Sequence, residues 1–326
     1  MQVLVTGASG FIGGHIVKSA QKQGWRVRGL RRDYIRTGHV ALWDIEWITG
    51  DLLDYQSLVY AMDHCDIVFH AAGFYPRRGE SQDTEKDLLK AETQIRNVIK
   101  AAIQTGVKRL VYTSSLTTIG HPPNGDSRLA DERDWYISGS IKNSVYYESK
   151  LLMEEILLQE DHAGLEIVIL NPTAVFGPGD VNVGIGGLLL MVAKGKAVAS
   201  LPGTINVIDA RDTAEAHIQA AARGRHGERY ILGGHNLTVD QALGIAAGVS
   251  GKNPPSMKIP LAVVDLAAYV SDLFPKLPLP ANHLKGVRHW QAFNTSKAQE
   301  ELGLAPRPFE ETVRDALAWF KENGKY

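Results

Sequence analysis

The stretch Gln2-Val3-Leu4-Val5-Thr6-Gly7-Ala8-Ser9-Gly10-Phe11-Ile12-Gly13 decides how the rest of the chain is read. A short apolar run, a turn with glycine at 7, 10 and 13, and an apolar-periodic segment over Ile12–Ala20 spell strand, tight turn and helix. Glycine permits the turn and lets backbone N–H groups approach an anion, while the helix N-terminus adds positive potential. The same triplet also serves as a plain packing turn, so its meaning depends on the segments C-terminal to it.

Those segments repeat the unit. Strands are expected at Gln2–Thr6, Arg26–Leu30, Glu46–Thr49, Ile67–His70, Arg109–Thr113 and Glu166–Leu170, with helices at Phe11–Gln23, Tyr55–Asp63, Leu88–Thr105 and Val145–Gln159. Unbroken apolar strands are covered on both faces, and helices between them imply parallel crossovers. This predicts an α/β fold, a Rossmann-type doubly wound parallel sheet with ligands at the carboxyl ends of its strands. After Asn171-Pro172 the pattern loosens into a short helix over Gly184–Lys196, a strand and helix over Val207–Ala222, and a core strand at Arg229–Leu232. Beyond Asn236, helical segments are parted by Pro254-Pro255, Pro260 and Pro275–Pro280. Residues 1–171 plus about 203–234 are expected to form the dinucleotide-binding domain, and about 172–202 plus 235–326 a smaller, mainly helical substrate lobe.

Composition sets the outer bounds. The chain has 326 residues, 44% hydrophobic and 22% charged, enough for a sizeable core. A formal charge of -1 gives no electrostatic reason to expect nucleic acid or an anionic membrane as partner. Cys65 stands alone, so no internal disulfide forms and a reducing compartment fits. A first strand from Gln2 leaves no room for a secretory leader, and the apolar runs Gly184–Ala193 and Leu261–Val270 are too short or interrupted to span a bilayer. The histidines lack metal-ligand spacing. A soluble cytoplasmic protein acting on a small molecule, without metal, is the expectation.

The end of the second strand chooses the cofactor. A carboxylate there accepts from the adenosine ribose 2'-hydroxyl of NAD; an arginine pairs with the 2'-phosphate of NADP. Leu30-Arg31-Arg32-Asp33 offers Arg31 and Arg32, favouring NADP, while Asp33 leaves NAD open. Asp51 and Leu52 come after the third strand, where a carboxylate could accept from the adenine amino group. His70-Ala71-Ala72-Gly73 closes the fourth strand with residues small enough to admit a ribose. Each reads equally well alone as an ordinary turn, and His70 as a core histidine.

Tyr146 and Lys150 lie four apart, on one face of a helix. An ammonium about 4 Å from a phenol, at an effective dielectric near 20, favours the phenolate by roughly 4 kcal/mol, about three pKa units, before desolvation opposes it. That brings tyrosine, ordinarily near 10, toward the range useful for acid–base work. Lys150 could also hold a nicotinamide ribose, and Ser115, at the end of the fifth strand, the substrate's carbonyl oxygen.

With these elements in this order the chain resembles the extended short-chain dehydrogenase/reductase family, also described as the NAD-dependent epimerase/dehydratase family. The likeness runs through Thr6–Gly13, Gly50-Asp51-Leu52, His70–Gly73, Thr113-Ser114-Ser115, Tyr146–Lys150 and Asn171–Gly177-Pro178. It implies an NAD(P)-dependent oxidoreductase in which Ser115 and Tyr146 are the hydroxyl pair and Lys150 the ribose anchor. Ser114 competes with Ser115, which is preferred because it stands five residues before Gly120. The implied cofactor contacts are Gly7, Ser9, Gly10, Phe11, Ile12, Gly13, Arg31, Arg32, Asp51, Leu52, Ala71, Ala72, Gly73, Tyr146, Lys150, Asn171 and Pro172.

Two departures refine this. Ala91 stands where many relatives carry an asparagine that relays a proton. Asn171 and Ala174 fill positions where nucleotide-sugar epimerases of this family carry Arg and Asn, polar donors suited to a sugar diphosphate. The form Pro172-Thr173-x-x-x-Gly177-Pro178, with Gly227–Asn236, resembles instead the dihydroflavonol-reductase-like branch. The expectation is an NADPH-dependent carbonyl reductase; the alternatives are a nucleoside-diphosphate-sugar epimerase or dehydratase, and a non-catalytic cofactor sensor, which would usually lack the tyrosine or lysine. Phe74–Arg78 and Trp135-Tyr136 are candidate substrate contacts or packing surface. Apolar residues around more than one face of Leu88–Thr105 and Val145–Gln159 suit a homodimer contact or burial within the chain.

Overall fold

The computed structural model describes residues 1–32, 44–73, 84–124, 126–141, 144–159, 162–273 and 286–326. The expectations at Asp33, Phe74–Arg78 and Pro275–Pro280 lie outside the described residues.

Strands β1 (Gln2–Thr6), β2 (Arg26–Arg31), β3 (Glu46–Thr49), β4 (Ile67–His70), β5 (Arg109–Thr113) and β6 (Glu166–Pro172) form one sheet with β10 (Glu228–Leu232), the tenth strand in chain order. The order is β10-β6-β5-β4-β1-β2-β3, and every neighbouring pair is parallel. Successive strands step outward from β1 to β3, then from β4 to β10 on the other side. The switch between β1 and β4 is where such sheets open a ligand crevice.

Alternation along the strands sorts side chains between two cores. Leu4, Val68, Leu110, Ile167 and Ile169 face α2 (Tyr55–Met62), α3 (Thr84–Gln104) and α4 (Val145–Gln159). Val3, Val5, Phe69, Val111, Val168 and Leu170 face α1 (Phe11–Lys22) and α6 (Ala210–Arg223). Helix α3 begins four residues before the apolar pattern does, because its first turn is polar and carries Glu85 and Asp87, favourable at a helix N-terminus. Several apolar residues of α4 are buried within the chain: Leu151 packs with Tyr136 and Ile141, Ile156 and Leu157 enter the α3-side core, and Leu152 and Leu158 are partly buried against it.

A second, three-stranded sheet has the order β11 (His235–Thr238), β9 (Thr204–Asp209), β7 (Ala174–Phe176). Helices α5 (Gly187–Ala193), α7 (Val239–Ser250) and α10 (Phe309–Glu322) close its core around Phe176, Leu190, Leu243, Phe309 and Phe320. The small strands β8 (Ala199–Ser200) and β12 (Met257–Lys258) pair in parallel, and α8 (Leu261–Leu273) comes next. The two parts interleave. Strand β9 belongs to the small sheet, yet α6, the next element, packs against α1; α9 (Ser296–Leu302) returns to α6 and β10. Among the described residues no helix is long and apolar enough to cross a membrane.

Two buried histidines lie on opposite faces of the large sheet. His70 places Nδ1 2.7 Å from Thr6 Oγ1 and stacks on Tyr112, and burial pushes its pKa down to about 3. His217 on α6 donates from Nδ1 to the Thr213 carbonyl at 2.7 Å, so Nε2 accepts from Thr113 Oγ1 at 2.8 Å; burial lowers it to about 4. An unfolded chain protonates these rings below about pH 6.5, whereas the folded chain cannot, so the stability they give is present above that pH and is lost as pH falls. Each should cost about 2 kcal/mol between pH 7.5 and 5. Urea unfolding of His217→Gln should show a pH slope flatter by that amount; an unaltered slope would contradict the assignment.

Candidate active site

Gly10 caps α1 with no side-chain cap bond, and the first turn holds no acidic residue, so its amides remain available to an outside anion. The turn before it is tightly packed. Gly7 has φ +71, and a Cβ there would stand 2.8 Å from the Ala72 nitrogen. A Cβ on Gly13 would stand 2.1 Å from the Gly7 carbonyl oxygen. Gly10 N–H donates to that oxygen at 2.8 Å. A turn whose glycine positions leave no room for a side chain, beside an uncapped helix terminus, fits a dinucleotide pyrophosphate. Ser9, Phe11 and Ile12 are half-buried around it.

Other expected cofactor residues gather at the same strand ends. Arg31 ends β2, its guanidinium 5.2 Å from the Trp47 ring centre, and Arg32 beside it is exposed. Asp51 accepts from Leu53 N–H at 2.9 Å, which makes it a turn former with one oxygen engaged. Leu52 is buried in the α3-side core. Ala71 and Ala72 abut Gly7, and a Cβ on Gly73 would meet Lys150 Nζ at 3.3 Å.

Lys150 Nζ is buried, donating to the Thr113 carbonyl at 3.0 Å and to Tyr112 OH at 3.3 Å. Burial lowers its pKa to about 8, with Glu154 acting in the opposite direction. Tyr146 is half-buried one turn earlier on α4, edge-on to Tyr147. Ser115 caps the 3-10 turn Leu116–Thr118; its Oγ accepts from Thr117 N–H at 3.2 Å, leaving its hydrogen for an acceptor. Ser114 is also buried. Ser115 thus stands at the end of β5, two strands over from the glycine turn, and Tyr146 lies one turn before the buried Lys150 on α4, residue types able to hold a carbonyl oxygen and move a proton to it.

Asn171 is fully buried, and its amide nitrogen reaches Glu154 Oε1 (2.6 Å), Thr118 Oγ1 (2.9 Å) and the Ser115 carbonyl (3.2 Å). Its side chain therefore supports the Ser115 turn from below. Pro172 is buried at the end of β6. Ala91 is fully buried in the core, which places no polar relay there. Trp135 lies against the Arg229 guanidinium, 3.6 Å from its ring centre, and Tyr136 OH donates to Glu148, so both brace the long loop. That loop returns so closely that a Cβ on Gly120 would stand 2.2 Å from the Trp135 carbonyl oxygen.

Sequence reading missed Glu154, Arg229, Thr118 and His15. The first two had at most a faint signal, since each stands in a charged pair (Glu154-Glu155 and Glu228-Arg229) at the edge of an apolar run. His15 had none; its Nε2 lies 2.7 Å from the Pro178 carbonyl, drawing the Gly177-Pro178 segment over the start of α1. Among the described residues no group of three His, Cys, Asp or Glu side chains is placed to hold a metal. A depression of about 220 Å³ lined by Ser200, Pro202, Thr238, Asp240 and Lys258 lies apart from these strand ends and shares none of these groups.

The model of the NAD dependent epimerase/dehydratase family matches residues 3–233. Sterol demethylase protein B of Methylococcus capsulatus is 30% identical over 99% of this chain and 99% of its own. Dihydroflavonol 4-reductase of Arabidopsis thaliana is 29% identical over 73% of this chain and 66% of its own. The crystal structure of a nucleoside-diphosphate-sugar epimerase from Pseudomonas aeruginosa superposes with a TM-score of 0.84 at 25% identity, covering 100% of this chain and 99% of the other.

The glycine turn generates a paired prediction. Gly13→Ala should destabilise the protein by about 3 kcal/mol, since backbone must move to admit the methyl group. Gly248→Ala, on the open side of α7 with nothing within 4 Å, should stabilise it by about 0.5–1 kcal/mol. Chemical denaturation of both variants checks the pair; a tolerated Gly13→Ala would mean the turn has room that its backbone contacts deny.

Proposed function

This chain belongs to the NAD-dependent epimerase/dehydratase family and is an NAD(P)-dependent oxidoreductase, and from that premise we propose that it reduces an aldehyde or ketone using NADPH. When bound, the nicotinamide supplies hydride to the carbonyl carbon. Ser115 donates a hydrogen bond to the carbonyl oxygen, and Tyr146 gives that oxygen its proton. Lys150, held as an ammonium on the same helix face, lowers the cost of the phenolate that Tyr146 becomes. The carrying observation is this buried ammonium, between the Thr113 carbonyl and Tyr112 and directly under Gly73.

NADP rather than NAD is supported by Arg31 and Arg32 at the end of β2. A carbonyl substrate rather than a nucleotide sugar is supported by Asn171, whose amide nitrogen is engaged by Glu154 and Thr118, and by apolar Ala174 three residues on. A site for a sugar diphosphate needs polar donors there, and these two positions offer none. The wall beside Tyr146 is made of rings: Tyr147 adjoins Tyr136 at 5.2 Å and His289 at 6.4 Å, and His289 adjoins His121 at 5.7 Å. Flat faces of this kind suit a planar organic carbonyl. The second reading, a nucleoside-diphosphate-sugar epimerase or dehydratase, is favoured by the likeness to the Pseudomonas aeruginosa epimerase. Such an enzyme recycles its cofactor, so net NADPH consumption separates the two. A sole, buried Cys65, its thiol pushed up to about 11 by burial, is in keeping with a reducing cytoplasm.

Two measurements test the proposal. With a panel of aldehydes and ketones followed by NADPH absorbance, Tyr146→Phe should lower kcat by about 10²–10⁴-fold while NADPH still binds. Turnover retained by that variant removes Tyr146 from the chemistry. Arg31→Ala and Arg32→Ala together should weaken NADPH about tenfold or more relative to NADH, as expected for a lost charge-assisted contact. Equal losses for both nucleotides would overturn the preference for NADP.

A further inference from the structure

Strand register lines up Thr6, His70, Tyr112, Ile169 and Arg229 as one row across β1, β4, β5, β6 and β10, on the face that α4 covers. Helix α4 sets Tyr146, Lys150 and Glu154 on one side at successive steps of four. Lys150 meets the row at Tyr112, and Glu154 meets it at Arg229. Both members of the second contact are buried, Glu154 to 0% exposure and Arg229 to 4%. Arg229 Nε lies 2.8 Å from Glu154 Oε2, an ion pair whose N–H is not aimed at the oxygen.

The rest of the two side chains binds the active-site turn. Glu154 Oε1 accepts from Thr118 Oγ1 at 2.7 Å and from the Asn171 amide at 2.6 Å. Arg229 Nη2 donates to the Thr118 carbonyl and hydroxyl, both at 3.0 Å, and Nη1 to the Glu132 carbonyl at 3.0 Å. Thr118 ends the turn that Ser115 begins, and the Asn171 amide also reaches the Ser115 carbonyl. One ion pair therefore ties α4, β6, β10, the Ser115 turn and the long loop.

Stability alone does not explain such a pair, since two buried charges of this kind rarely hold a fold better than apolar residues of the same volume. We propose that Glu154, clamped by Arg229, is a positioning residue for the reaction: its charge keeps Lys150 an ammonium, and its hydrogen bonds fix the turn that carries Ser115. This rests on the reading of Tyr146, Lys150 and Ser115 as the reacting set. Among the described residues, the groups set against Lys150 are Tyr112 from β5, His70 from β4, which stays neutral, and Tyr146 and Glu154 one turn to either side on α4, with Arg229 from β10 behind Glu154. Among them Glu154 is the sole carboxylate. Removing its charge would leave Lys150 and Arg229 as two buried cations with no anion between them.

The test titrates Lys150 directly and needs no substrate, so it stands or falls apart from the identity of the carbonyl compound. In full-length protein labelled with [13C]lysine, the Cε resonance of Lys150, assigned by its loss in Lys150→Arg, is followed against pH. Glu154→Gln should lower the midpoint by about one unit, a tenfold change in acidity. The double variant Glu154→Gln/Arg229→Gln, which leaves neither charge unpaired, should fall between Glu154→Gln and the wild type. Should Glu154→Gln fail to fold, the double variant decides: a midpoint below wild type supports the proposal. A midpoint equal to wild type in whichever variant folds overturns it, reducing the pair to a structural tie.

Discussion

An ammonium with almost no water around it sits where β5 meets α4, and much of the large sheet's polar chemistry serves to make that tolerable. An isolated buried charge costs far more than a fold can spare, so it must be hydrogen-bonded, paired or neutralised. Lys150 receives two oxygens, the Thr113 carbonyl and Tyr112 OH. Tyr112 is itself held, its hydroxyl 3.2 Å from Met153 Sδ and its ring stacked on His70. His70 is kept neutral by burial and, secondarily, by Lys150 itself, so no second cation competes there. The outcome is a lysine with a pKa near 8, poised near the pH at which proton transfer is useful.

Residues whose role has a local cause were legible in the sequence. The change from period two to period 3.6 across Thr6–Gly13 marks strand, turn and helix, and the turn is glycine at 7, 10 and 13 because backbone occupies every place a Cβ would take. Strands β1, β3, β4 and β5 fall where the apolar runs place them. Helix α3 does not start where the apolar pattern starts, because pattern is blind to a polar first turn.

Residues whose role comes from register were not legible. Arg229 reads as one charge at the edge of an apolar strand, and nothing nearby says that β10 will pair with β6 so as to set it level with Ile169. Asn171 shows the same limit from the other side. Placed among cofactor contacts by resemblance, its side chain shares the parity of Ile167 and Ile169 on β6 and so faces α4, where Glu154 and Thr118 take up its amide. Alternation gives the face of a residue; only strand order gives its partner.

The join between the two sheets obeys the same logic with neutral groups. The chain leaves β6 at Thr173, whose N–H donates to the Leu232 carbonyl at the end of β10 and whose hydroxyl donates to Asn206 Oδ1 at 2.8 Å. Asn206, in the middle of β9 and 2% exposed, also accepts from Gly234 N–H at 3.0 Å and donates to Asn236 at 2.8 Å; Asn236 in turn donates to the Phe293 carbonyl at 2.9 Å. One buried amide thus meets both segments that cross from the large sheet to the small one. Gly233 lies so near that a Cβ there would come within 2.5 Å of the Asn206 oxygen. A joint made this way resists rotation, because each hydrogen bond lost would strand a buried polar atom, at about 1–3 kcal/mol each. The small sheet is therefore held to the large one by geometry that has few ways to slip, as a chemistry sensitive to placement at the scale of an ångström requires.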